Sequence, residues 1–191
     1  PPAHRATIIS PERVRASGHA LMPRNTDQDP LMRPTPRLLL SHPTHFISLG
    51  FGAGLSPWAP GTVGTLLAWA LYPLIRTPLS EFVFLALLAS LFIAGVIAAE
   101  RTGHALGVPD HGGIVWDEMV ATWLVLVFTP KTLLWQATAV ALFRFFDIVK
   151  PPPVRWADRS FKGGFGVMFD DLVAAGYTLL ALAVLVALFG A

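Results

Sequence analysis

Apolar residues fall along this chain in five runs separated by short polar loops. Residues 82–99 read FVFLALLASLFIAGVIAA, 18 positions without a charge, and 172–191 form a second charge-free run. At 1.5 Å per residue each reaches about 30 Å, the thickness of a bilayer's hydrocarbon core, so both predict membrane-spanning helices. Runs at 62–75, 119–128 and 133–149 predict three more helices. The first two of these are short for a full span of about 20 residues. Pro60-Gly61-Thr62 offers Thr62 as a hydroxyl cap before the first run, and Pro151-Pro152-Pro153 must end the fourth. The expected fold is therefore all-α, a helical membrane bundle of about five helices over residues 46–191, without internal repeat.

Residues 1–45 carry Pro, Arg, Ser and His with no apolar periodicity, a composition that cannot bury enough surface to order itself. They predict a disordered, basic cytoplasmic arm, and no stretch within them supplies the apolar region of a signal peptide. Six arginines against three acids lie in that arm, while the remainder carries eight bases against nine acids. With the arm inside, the loops at 100–117 and 149–170 share its face. That face then holds Arg101, Lys150, Arg155, Arg159 and Lys162, leaving only Arg76 and Lys131 outside, as the positive-inside rule requires. Trp58, Trp116 and Trp156 fall at the same boundary, where interfacial aromatics belong. Arg155, Arg159 and Lys162 read as contacts to anionic headgroups.

Composition sharpens this picture. Hydrophobic residues make up 53% and charged residues only 14%, beyond ordinary soluble usage. Membrane lipids, not nucleic acid, are the expected partners. The absence of cysteine removes disulfides, thiolate nucleophiles and zinc–thiolate or iron–sulfur sites, leaving carboxylate, hydroxyl, histidine and backbone chemistry. Lipid-facing and helix-packing stripes are equally apolar, so the sequence assigns no oligomeric state.

In so apolar a chain, two tight acid pairs need a reason: Asp117-Glu118 and Asp170-Asp171. Carboxylates beside hydrocarbon are costly unless paired, solvated or holding a cation. Adjacent acids diverge by about 100° on a helix, so both can serve one ion only near a helix terminus. Two such termini meeting would offer the all-oxygen shell that Mg²⁺ prefers; the plainer account is that acids favour helix N-termini through the macrodipole. Arg144, Asp147 and Lys150 recur every three residues, forming either an ion-pair ladder or a phosphate-binding stripe. The glycine-dense stretch 50–65 could bring backbone amides to an anion, or simply make a tight turn; no Gly-Lys-Ser/Thr follows it. His104 and His111 flank Asp110 in the loop before the first pair and read as solvated, although Asp110 could add a ligand.

Three strings together resemble the phosphatidylglycerophosphatase A family: GFGAGLSPWAPGTVGT at 50–65, GGIVWDEMV at 112–120 and FRFFDIVKPPPVRWADRSFKGGFGVMFDDLVAAG at 143–176. The resemblance implies a multi-pass protein of the bacterial inner membrane, with its site facing the cytoplasm. It implies Mg²⁺-dependent removal of the terminal phosphate of phosphatidylglycerol phosphate in phospholipid biosynthesis. On this reading Asp117, Glu118, Asp147, Asp170 and Asp171 are catalytic, all but Asp147 as metal ligands. Thr62, Arg144, Lys150 and the backbone of Gly61, Gly163 and Gly164 are expected on the phosphate. Ala121 and Ala175 stand where the family pattern has glycine, and Pro152 where tryptophan is common. Two rivals stay open: a small transporter or cation channel whose acids bind a passing ion, and a peripheral or soluble all-α protein whose apolar runs form a core.

Overall fold

The computed structural model describes residues 33–152 and 154–189, without the side chains of 157–159. Expectations for residues 1–32 and for Arg159 lie outside the described residues. The elements in chain order are α1 (Pro36–Ser41), α2 (Pro43–Ser48), a 3₁₀ segment (Gly50–Leu55), α3 (Pro60–Arg76), α4 (Glu81–Leu106), α5 (Trp116–Val127), α6 (Leu133–Val149), α7 (Val154–Ser160) and α8 (Gly163–Phe189). All five apolar runs are helical, and no strand forms among the described residues.

Boundaries differ from the sequence expectation in three places. Helical structure begins at Pro36, ahead of the boundary drawn at 46. Thr35 Oγ1 accepts from Leu38 N–H, His42 Nδ1 accepts from Thr44 N–H, and each helix has proline in its first turn, where the missing amide costs nothing. Helix α3 starts at Pro60 behind Ala59, whose backbone is left-handed (φ 42°). Thr62 therefore lies within the first turn instead of capping it. Helix α8 starts at Gly163, nine residues before the apolar run, because Glu100 of α4 supplies the acceptor its first turn needs.

Helices α4 and α8 are long and apolar enough to cross a bilayer. Most of the apolar surface of each faces outward: Phe82, Ile93 and Ile97 on α4, and Leu180, Val184 and Leu188 on α8, are all more than half exposed. A soluble core helix would bury these residues, whereas lipid accommodates them. The 20 residues from 170 to 189 span about 30 Å, one hydrocarbon thickness.

The shortness of α5 has a different cause. It packs against α3, α4, α6 and α8 and is buried on nearly every side, so it is the core helix of the bundle. Trp116, Met119, Val120 and Trp123 join Ala68 of α3, Phe84 and Leu88 of α4 and Met168 of α8 in one cluster. The Trp123 indole donates to Ala68 O (2.8 Å) and that of Trp116 to Leu91 O (3.1 Å). Trp116 is thus a buried core residue and not an interfacial one; Trp58 and Trp156 remain exposed. A second cluster joins Ala121 and Val125 to Ala139 and Phe143 of α6 and to Ala174, Ala175 and Leu182 of α8. Helix α2 is tied to α4 by a 2.9 Å hydrogen bond between His45 Nδ1 and Thr102 Oγ1. Burial, reinforced by His42 and Arg101, holds the His45 imidazole below its usual range.

Candidate active site

The first turn of α5 carries Asp117, which is buried, and Glu118, which is half-buried. Asp171, on the third turn of α8, is buried against them. One oxygen from each of the three lies within 4.8 Å of the others. The second acid pair therefore does not stand at a helix terminus as expected. Asp170 and Asp171 sit inside α8, so the 100° between neighbouring positions sends them in different directions. Asp171 joins the cluster, while Asp170 Oδ2 accepts from Lys150 Nζ at 2.6 Å. Three acids converge where four were expected.

Base charge comes from α6. Arg144 Nη1 lies 2.7 Å from Asp147 Oδ2 and 3.5 Å from Glu118 Oε1. Lys150 leaves that stripe because it caps α6 in a left-handed conformation (φ 45°), which turns its side chain to α8. The α6 stripe thus divides, Arg144 serving the first acid pair and Lys150 the second.

The fourth wall is the N-terminus of α3. Gly61 is packed so closely on the site that a Cβ there would collide with Glu118 Oε1 and lie 3.0 Å from Arg144 Nη2. First-turn amides have no intrahelical acceptor, so this end of α3 presents donors and partial positive charge. Thr62 follows in the same turn, half-buried. Gly163 and Gly164 serve otherwise: side chains there would strike Glu100 and the α4 backbone, and the Gly164 amide donates to Glu100 Oε2. Both glycines thus serve the packing of α8 on α4, and the Gly164 amide is already engaged by Glu100. Sequence reasoning passed over Glu100, whose one signal was a lone acid ending the charge-free stretch of α4.

Asp117 Oδ1, Glu118 Oε2, Asp171 Oδ2 and Arg144 Nε are buried with no hydrogen-bond partner among the described residues. Unsatisfied carboxylate oxygens cost several kcal/mol in an apolar setting, a cost that a bound cation or a shared proton would relieve. Hard oxygen donors suit Mg²⁺, so the donor set fits the metal expected from sequence. His104 Nε2 lies 2.9 Å from Glu100, and His111 Nδ1 accepts from Gly113 N–H, so neither histidine enters the cluster.

A helical bundle with two helices long and apolar enough to cross a membrane, and a buried cluster of acids and bases at one end, defines the class of protein. Comparison with known proteins narrows this. Residues 46–186 match the family described as Phosphatidylglycerophosphatase A, and the chain belongs to that family. It is 42% identical over 149 residues to the Phosphatidylglycerophosphatase A of Haemophilus influenzae, covering 77% of this chain and 91% of that one. It is 41% identical over 139 residues to that of Escherichia coli, covering 72% and 80%. A Bacteroides thetaiotaomicron protein named Putative phosphatidylinositol-3-phosphatase is 43% identical over 145 residues, covering 72% and 90%. No solved structure gives a significant match.

Proposed function

We propose that the protein is a Mg²⁺-dependent phosphatase of the bacterial inner membrane. It hydrolyses the terminal phosphate monoester of phosphatidylglycerol phosphate at the cytoplasmic face, giving phosphatidylglycerol and inorganic phosphate. The observation that carries this reading is the meeting of Asp117, Glu118 and Asp171, each with a buried and unpartnered oxygen, beside Arg144. Family membership supplies the substrate class.

Asp117, Glu118 and Asp171 would hold the cation, which supplies charge neutralisation at the phosphate and a more acidic water. Arg144 is aimed by its 2.7 Å pair with Asp147 and supports the phosphoryl oxygens as the P–O bond breaks. The Gly61–Thr62 turn of α3 offers amide donors to the same oxygens. Asp170, the acid outside the cluster, takes the proton of the attacking water on this reading, and Lys150, paired with it at 2.6 Å, stabilises the charge nearby. The departing glycerol oxygen regains a proton from solvent at the membrane surface. Acyl chains remain in the bilayer beside α4 and α8, so the reaction needs no deep soluble pocket.

The test is phosphate release from phosphatidylglycerol phosphate in mixed micelles, with Mg²⁺ and with EDTA, for wild type and Asp171→Asn. Magnesium-dependent release that falls by a factor of about 100 or more in the variant is expected. Release that persists in EDTA would remove the metal from the reading, and equal release from both proteins would displace the site.

A further inference from the structure

Helices α4 and α8 form the most extensive helix pair in the bundle, yet each is free of charge along its lipid-embedded stretch, at 82–99 and 172–189. In lipid the hydrophobic effect sets no axial position, so the register of this pair rests on steric fit, as where Met168 packs on Gly95 and Gly164 on the Val96 carbonyl, and on polar contacts. One polar contact adds direction to this fit between α4 and α8. Glu100 Oε2 accepts the Gly164 amide at the first turn of α8, and Glu100 Oε1 lies 2.9 Å from His104 Nε2 one turn on along α4. Gly163, held at φ 68°, and Gly164 leave the room that the carboxylate needs.

We infer that Glu100 is a positioning residue that sets the axial register of α8 on α4, and so brings Asp171 level with Asp117 and Glu118. Asp171 lies seven residues beyond Gly164, about 10 Å along the same rigid helix. A slip of one turn would move it by about 5.4 Å, more than the 4.8 Å within which the three acid oxygens now gather. Among the described residues the polar partners of Glu100 are His104 and the Gly164 amide, and not Asp117, Glu118 or Asp171, so it acts through the helix. The consequence for catalysis rests on the phosphatase reading above; the consequence for register does not.

The native chain has no cysteine, so two introduced cysteines label cleanly. Nitroxides at Phe82 and Phe189, both exposed on the same end of the bundle, report the stagger of α4 and α8 in nanodiscs. In Glu100→Ala the distance distribution is expected to shift or broaden by several ångströms, while Glu100→Gln, which keeps an acceptor, retains the wild-type distance. Without the labels, Glu100→Ala lowers kcat by a factor of about 100, leaves KM within a factor of about three, and loses the gain in Tm that Mg²⁺ gives wild type; Glu100→Gln restores all three. An unchanged distance in Glu100→Ala overturns the inference, as does a glutamine variant as impaired as alanine. A shifted distance with intact turnover overturns the link to the site. A shifted distance in a protein whose wild type releases no phosphate upholds the register role and sinks the phosphatase reading instead.

Discussion

Lys150 Nζ donates to Asp170 Oδ2 across 2.6 Å, and Lys150 does so from a left-handed backbone at the end of α6. A β-carbon in that conformation costs about 1 kcal/mol, which glycine would avoid. Strain is thus retained at a position where the side chain is needed.

Lys150→Gly and Lys150→Ala should therefore separate stability from activity. Both lose the ion pair, and phosphate release should fall by a factor of about 10 to 100 in each. Glycine should be the more stable of the two by about 1 kcal/mol in denaturant titrations in detergent. Equal stability would show that the backbone at 150 is unstrained.

Gly61→Ala tests the close approach of α3 to the acids. Alanine favours a helix by about 1 kcal/mol, but its methyl would displace Glu118 Oε1. The expected result is a fall in turnover of about tenfold or more with Tm nearly unchanged. Gly112→Ala, where an added Cβ meets nothing within 4 Å, is the control and should behave as wild type.

Ala121 and Ala175 are both buried in the cluster joining α5, α6 and α8. Leucine at either should overpack this seam and destabilise by about 1 to 3 kcal/mol. Restoring the glycine of the family pattern at both should be tolerated, since lost helix propensity of about 1 kcal/mol per site is offset by closer helix approach. Thermal unfolding in nanodiscs measures both.

The exposed apolar faces of α4 and α8 predict that the protein stays with the membrane after high-salt and alkaline washing and leaves it only with detergent. Appearance in the alkaline supernatant would favour a peripheral protein whose exposed faces are covered by a partner.

Much of the architecture was legible because its causes are local. Residues 82–99 can satisfy their backbone in lipid only as a helix, and the three prolines after Lys150 cannot continue one. The acid pairs stood out because carboxylates beside hydrocarbon demand compensation. Other features were illegible because their causes lie elsewhere in the chain. Nothing near Gly163-Gly164 in the sequence signals that Glu100, 64 residues away, caps the helix that begins there. Trp116 reads as interfacial until α3, α4 and α8 close around it. The proline-bearing segment at 36–45 reads as unstructured because its caps, Thr35 and His42, look like ordinary loop residues.

By itself, then, the sequence determined the helical class, the membrane-spanning lengths of α4 and α8, and the concentration of acids and bases at one end. Each follows from the solvation of side chains and backbone within a few turns. Only the tertiary structure decided which acids meet. Starting α8 nine residues early turns Asp170 and Asp171 from a shared terminus into neighbours 100° apart, one bound to Lys150 and the other facing Asp117 and Glu118. That choice depends on the register of α8 against its neighbours, which the fit of Met168 on Gly95, the Glu100–Gly164 bond and the Lys150–Asp170 pair set from positions far apart in the chain.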